Sequence, residues 1–150
     1  YDKLQTFVPI QEYQIDYYKN RFLKYINPGF IKCVTDENDE LVAFAITMPS
    51  FSNALKKIKG KVDLIGKLRL LYAKNFNSKG SLYLIGVRPD FQNKGVIAIL
   101  FNELQKFYNK FGITEVETNP ELIENTAIQQ LWKNYENNQH KNRATFTKQI

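Results

Sequence analysis

Hydrophobic and polar positions fall into blocks of two periods along this chain. From Glu12 to Ile26, the residues Ile15, Tyr18, Phe22, Tyr25 and Ile26 recur three or four apart, which predicts an amphipathic helix. Asn27-Pro28-Gly29 stops it. Phe30 to Thr35 predicts a strand and Asp36 to Asp39 a polar turn. A second strand, Glu40 to Met48, follows, and its almost continuous apolar run suits burial on both faces. The two strands pair antiparallel through the short turn, and Pro49 ends the second. Residues 50–73 change character. Ser50 or Ser52 caps a short helix through Leu55 and Ile58, and Gly60 breaks it. Leu64, Ile65, Leu68, Leu71 and Tyr72 then predict another helical turn or two. This stretch looks like an insertion that covers something, with enough Leu, Ile and Phe to floor an apolar pocket.

After a polar turn at 75–80 comes a strand at 81–88, a Pro-containing turn, and a long helix at 94–111 marked by Val96, Leu100, Leu104, Phe107 and Phe111. Gly112 is a natural left-handed stop. A strand at 113–118 follows, then a break at Asn119-Pro120. A helix from about Glu124 to Glu136 has Ile128, Leu131, Trp132 and Tyr135 on one face, and a final strand is expected over 143–150. There is no internal repeat and no linker-like boundary. Residues 1–150 therefore read as one α/β domain on a mixed sheet with helices on both faces. The strand–turn–helix of residues 81–111 is the arrangement from which a chain builds an anion site. Unpaired N–H groups and the positive end of the helix dipole meet there, Gly95 admits close approach, and Lys94 adds charge.

Composition narrows the choice of function. The 150 residues are 43% hydrophobic and 14% aromatic, enough for a real core and unlike a disordered chain. The net charge of +6 favours an anionic ligand such as a coenzyme phosphate, and also fits weak, non-specific nucleic-acid binding. No nucleic-acid motif accompanies it, so a basic nucleic-acid-binding domain is the weaker alternative. The lysines are scattered. Lys56, Lys57, Lys59 and Lys61 are the densest group and read as a solvated face. Cys33 is the only cysteine and His140 the only histidine, which excludes an internal disulfide, a cysteine zinc cluster and a two-histidine metal site. Cys33 is expected as a small core residue and His140 on the surface. No apolar run reaches the roughly 18 residues of a membrane span, and cytoplasmic residence is the default expectation. A chain that opens on Tyr1 rather than Met fits the C-terminal part of a longer protein.

The element order together with G-V-R-P-D-F-Q-N-K-G-V resembles the GNAT superfamily of N-acetyltransferases. That family carries an apolar strand, V-x-P, then Q/R-x-x-G-x-G/A opening a helix, and here Val87, Pro89, Gln92 and Gly95 match. The family's last small residue is Ile97 in this chain, with Ala98 next. A second family block, N-x-x-A-x-x-L-Y, is similar to the spacing of Asn125, Ile128, Leu131 and Trp132, with Trp132 at the usual Tyr. Trp has no acidic proton to give a leaving thiolate. The insertion is similar to that of an uncharacterised branch of GNAT-like proteins. The resemblance covers roughly residues 12–150.

The resemblance implies a GNAT-like acyl-CoA N-acyltransferase fold and transfer of an acetyl or other acyl group to an amine on a small molecule or peptide. Acetyl-CoA or another acyl-CoA is the implied co-substrate. Backbone N–H groups of Gln92, Asn93, Lys94, Gly95, Val96 and Ile97 would hold its pyrophosphate. Ile85 and Val87 would hold the pantetheine arm and polarise the thioester carbonyl. Direct attack by the deprotonated amine needs proximity and a proton acceptor, with no covalent enzyme intermediate. Glu115 and Glu117 share one face of a strand, and Glu117, nearest the strand's end, is the candidate base. Its alternative is a solvated strand-end carboxylate. Tyr135 is the candidate acid, or a core-packing residue, and Asn125 either caps its helix or bonds the coenzyme. The alternative to an enzyme is a GNAT-fold acyl-CoA-binding protein with weak or no catalysis.

Overall fold

A computed structural model describes residues 9–21 and 26–148. The chain divides into two compact units, residues 1–117 and 118–150. The first unit holds α1 (Glu12–Arg21), β1 (Ile31–Thr35), β2 (Leu41–Pro49), α2 (Ser52–Ile58), α3 (Leu64–Asn75), β3 (Lys79–Val87) and α4 (Val96–Phe111). The short β4 (Glu115–Thr118) ends it, and α5 (Thr126–Trp132) belongs to the second unit.

The sheet runs β1-β2-β3-β4. β1 with β2 and β2 with β3 are antiparallel, with register shifts at Val34/Thr35 and Ile46/Thr47. The N–H groups of Thr114 and Glu115 both donate to the carbonyl of Ser78 (2.8 and 3.2 Å). The starts of β3 and β4 therefore lie side by side, the two strands run parallel, and the sheet is mixed. β2 is central, and Val42, Ala43, Ala45 and Thr47 on it are buried, as its apolar run predicts. α4 packs on β1 and β2 through Leu100, Leu104 and Tyr108. Phe30 meets Phe107 edge-on at 4.8 Å, and the Thr47 hydroxyl donates to the Phe30 carbonyl at 2.8 Å.

Local punctuation matches the sequence. Asn27 accepts from the Gly29 N–H (3.0 Å) at a tight helical turn, Pro28–Phe30, and Gly112 closes α4 at φ +69°. α3 is longer than expected, because Asp63 caps it by accepting from the Gly66 N–H at 2.7 Å.

Four expectations need correction. Ile15 and Tyr18 on α1 are exposed, so that stripe does not face a core among the described residues; Phe22 and Tyr25 lie outside them. Cys33 is exposed, because alternation turns it to the face of β1 opposite Val34, which packs against Val42, Ala43 and Val96. Residues 143–148 form no strand, and Phe146 is 88% exposed: alternating apolar residues make a strand only where an edge and a core receive them, and 149–150 lie outside the description. The helix expected to Glu136 stops at Trp132. Tyr135 lies beyond it, 41% exposed rather than on a core-packing face.

Candidate functional site

The corner between β3 and α4 is built on a small apolar floor. Val42, Ala43 and Val96 are buried together, with Val34, Val87 and Phe91 packed against them. The floor fixes the end of β3, the turn and the first residue of α4. Pro89–Phe91 make one tight helical turn. Asn93 then takes φ +60° and Gly95 φ +77°, two left-handed residues that redirect the chain into α4.

α4 has no side-chain cap and no acid in its first turn. The Ala98 and Ile99 N–H groups both return to the Gly95 carbonyl (3.0 and 3.3 Å). The N–H groups of Val96 and Ile97 have no acceptor among the described residues. A Cβ added at Gly95 would meet nothing within 4 Å. An uncapped helix start beside open space fits an anionic group such as a pyrophosphate. Gln92, Asn93 and Lys94 are exposed on the turn, while Ile97 is half-buried at the position where the family resemblance implies a small residue.

The strand contributes as expected from its register. The Arg88 N–H donates to the Val42 carbonyl (2.8 Å), so alternation turns the N–H and C=O of Val87, and those of Ile85, to the edge away from β2. The Gln92 side chain reaches the Val87 carbonyl there at 3.4 Å. β4 is four residues long against nine for β3.

The sequence reading missed Arg88. Its Nε donates to Asp90 (2.9 Å), its Nη1 to Glu40 (3.2 Å) and its Nη2 to Asp36 (3.2 Å). Asp36 also accepts from the N–H groups of Asn38 and Glu40 (3.0 and 3.1 Å). The Asn38 N–H, with those of Glu40 and the Arg88 guanidinium, holds the Asp36 carboxyl below its usual 3.8 against the opposing effect of desolvation. The hydrogen bond to Asp90, followed by the Asp90 charge and Asp36, raises Arg88. One signal existed: the acid-rich turn Asp36, Glu37, Asp39, Glu40 needs a cation. The guanidinium shares its charge among three carboxylates, so Lys94, 5.1 Å from the Phe91 ring, is the cation at the turn not held in an ion pair among the described residues.

Glu115 pairs with Lys79 across β3 and β4. Glu117, two residues on, is half-buried. In the second unit, Asn125 occupies the N-cap position of α5 without making a side-chain cap bond. The Trp132 indole N–H donates to Glu121 at 2.8 Å, and its ring lies 6.2 Å from that of Tyr135. No group of His, Cys, Asp and Glu among the described residues could hold a metal ion.

Residues 2–135 match the model of the acetyltransferase (GNAT) family. Solved structures with a similar fold include aminoglycoside antibiotic 6'-N-acetyltransferase AAC(6')-IG from Acinetobacter haemolyticus, at 14% identity and TM-score 0.59 over 95% of this chain and 85% of that one. AAC(6')-Ih from Acinetobacter baumannii is similar at 14% identity and TM-score 0.53, over 95% and 97%. The ribosomal-protein-alanine N-acetyltransferase from Brucella melitensis biovar Abortus 2308 is similar at 14% identity and TM-score 0.52, over 87% and 80%. At these identities the likeness is one of fold. No curated protein matches the chain in sequence.

Proposed function

Because this chain belongs to the acetyltransferase (GNAT) family, we propose that it transfers an acetyl or other acyl group from acyl-CoA to the amine of a small molecule or peptide. The observation that carries this reading is the open, uncapped start of α4, with Gly95 at φ +77° and no atom where its Cβ would stand. The coenzyme supplies an activated thioester carbonyl. The N–H groups of Val96 and Ile97, with the turn Gln92–Gly95, bind its pyrophosphate, and Lys94 adds one charge. The outward backbone of Ile85 and Val87 orients the pantetheine arm, and the Val87 N–H stabilises negative charge on the carbonyl oxygen as the amine attacks. The C–N bond forms as the C–S bond breaks. Glu117 accepts the proton that the amine nitrogen gives up, and the sulfur departs as the thiolate.

A thermal melt with acetyl-CoA tests the site first. At a hundredfold excess over Kd the melting temperature rises roughly 5–10 °C, and no rise at millimolar coenzyme overturns the reading. Release of free CoA with a panel of amines tests the chemistry. Aminoglycosides and alanine-bearing ribosomal proteins head the panel, because fold neighbours are named for those acceptors. Binding without CoA release on any amine would assign the chain as an acyl-CoA-binding protein.

A further inference from the structure

α3 packs on the rest of its unit through its small side. Gly66 and Ala73 are buried and Leu70 half-buried, all on one face. Gly66 sits so close to the preceding turn that a Cβ there would lie 2.8 Å from the Lys61 carbonyl oxygen. Arg69 ties the helix to the end of α2 by donating to the Lys57 carbonyl at 3.2 Å. The opposite face carries Leu64, Ile65, Leu68, Leu71 and Tyr72, all exposed, within an arc of about 120°. Phe76, just past the helix, stacks on Tyr72 at 5.2 Å and is exposed as well. Single exposed apolar residues are ordinary on a soluble surface; a whole helical face of them is not.

The charge around this face is one-sided. Residues 52–76 hold seven Lys and Arg against one acid, Asp63, giving a formal +6. The whole chain, 21 basic against 15 acidic, is also +6, so the remaining residues balance at fourteen of each. Asp63 is engaged at the helix cap. Helical spacing puts Lys67 and Lys74 on one flank of the apolar face and Arg69 on the other. A partner that takes both an apolar helix face and its cationic flanks must be apolar within and negative at its rim. A two-fold contact between copies would bring +6 against +6. A phosphate backbone offers the five aliphatic and aromatic side chains no apolar surface.

We infer that the outward face of α3 docks on an anionic lipid surface. Its leucines and Tyr72 enter the acyl boundary, and Lys67, Arg69 and Lys74 stay at the headgroups. The association is peripheral, since no described helix is long and apolar enough to cross a membrane. It is independent of the coenzyme corner.

Flotation of the whole chain with vesicles tests this. Phosphatidylcholine vesicles with about one-third phosphatidylserine should carry the protein at low salt, pure phosphatidylcholine vesicles should not, and high salt should release it. The double variant Leu68→Glu, Leu71→Glu should abolish flotation. The triple variant Lys67→Gln, Arg69→Gln, Lys74→Gln should weaken it by roughly fivefold per charge, about a hundredfold in all. These side chains are exposed, so the Glu pair should melt like the parent, and the triple variant should melt only slightly lower through loss of the Arg69 bond to the Lys57 carbonyl. No flotation with the serine lipid, or flotation indifferent to the Glu pair, overturns the inference. A dimer in sedimentation equilibrium that the Glu pair dissociates would assign the face to a second copy instead.

Discussion

Arg88 Nη2 lies 3.2 Å from Asp36 Oδ2, which ties the end of β3 to the turn between β1 and β2 across 52 residues of sequence. The same guanidinium holds Asp90 in the turn leading to α4. The corner between β3 and α4 is thus fastened to the β1–β2 hairpin by one side chain. Asp36→Asn should lower the melting temperature at neutral pH. Asp36 is depressed in the folded state, so its contribution is present above its usual 3.8 and is lost as pH falls through the lower folded value. The gap between parent and variant should therefore stay constant down to about pH 5 and close below the usual carboxylate range. A gap that widened in acid would refute the assignment. Arg88→Lys keeps one charge but loses the planar fork, and should melt closer to Arg88→Ala than to the parent.

Gly95 and Gly112 bracket α4, both left-handed and both with open space where a Cβ would stand. Alanine at either should cost about 1–2 kcal/mol through the backbone alone. Only Gly95→Ala should also weaken acetyl-CoA, by roughly tenfold or more, because its methyl would enter the space read as the phosphate site. Calorimetric titration of the two variants compares them directly. Equal coenzyme affinity in both would remove the phosphate from this corner.

The Tyr108 hydroxyl is buried near the Thr47 hydroxyl but makes no hydrogen bond of good geometry among the described residues. Tyr108→Phe should stabilise the protein by roughly 1 kcal/mol, since the change removes an unmet group and little volume. Burial, opposed by the nearby Thr47 hydroxyl, raises the phenol above 10.0. The parent should therefore lose stability to alkali as pH rises from 10.0 through that higher value, while the Phe variant should not. Melts at pH 7 and pH 10–11 check both points.

Glu117→Gln should reduce kcat by about 10²–10⁴ and remove the acidic limb of the pH–rate profile, leaving coenzyme affinity unchanged. An unaltered profile would place the base elsewhere.

The sequence was readable wherever the deciding chemistry was local. Asn27-Pro28-Gly29, Pro49 and Gly112 end elements by their own backbone properties, and the matches at Val87, Pro89, Gln92 and Gly95 mark the corner within nine residues. What escaped depends on distant partners. The role of Arg88 is set by carboxylates in a far turn. The exposure of Cys33 depends on which face of β1 meets the core, which alternation alone cannot tell. Residues 143–148 alternate but find no strand among the described residues. The length of α3 was local information overlooked, because Asp63 announces its start. Tyr135 fell outside α5 because apolar spacing continued past the point where the helix ended.

The floor beneath the corner has a consequence for how this chain can change. Val96 is buried on Val42 and Ala43, while Gln92, Asn93 and Lys94 project outward from the turn that leads to it. Asn93, at φ +60°, is limited to residues that accept a left-handed backbone, but side chains at 92 and 94 can drift in sequence without disturbing anything packed below. The number of residues between Phe91 and Val96 cannot, because both ends rest on the same cluster. One inserted or deleted residue would unseat Val96 and swing the axis of α4. The corner is tolerant of spelling and intolerant of length.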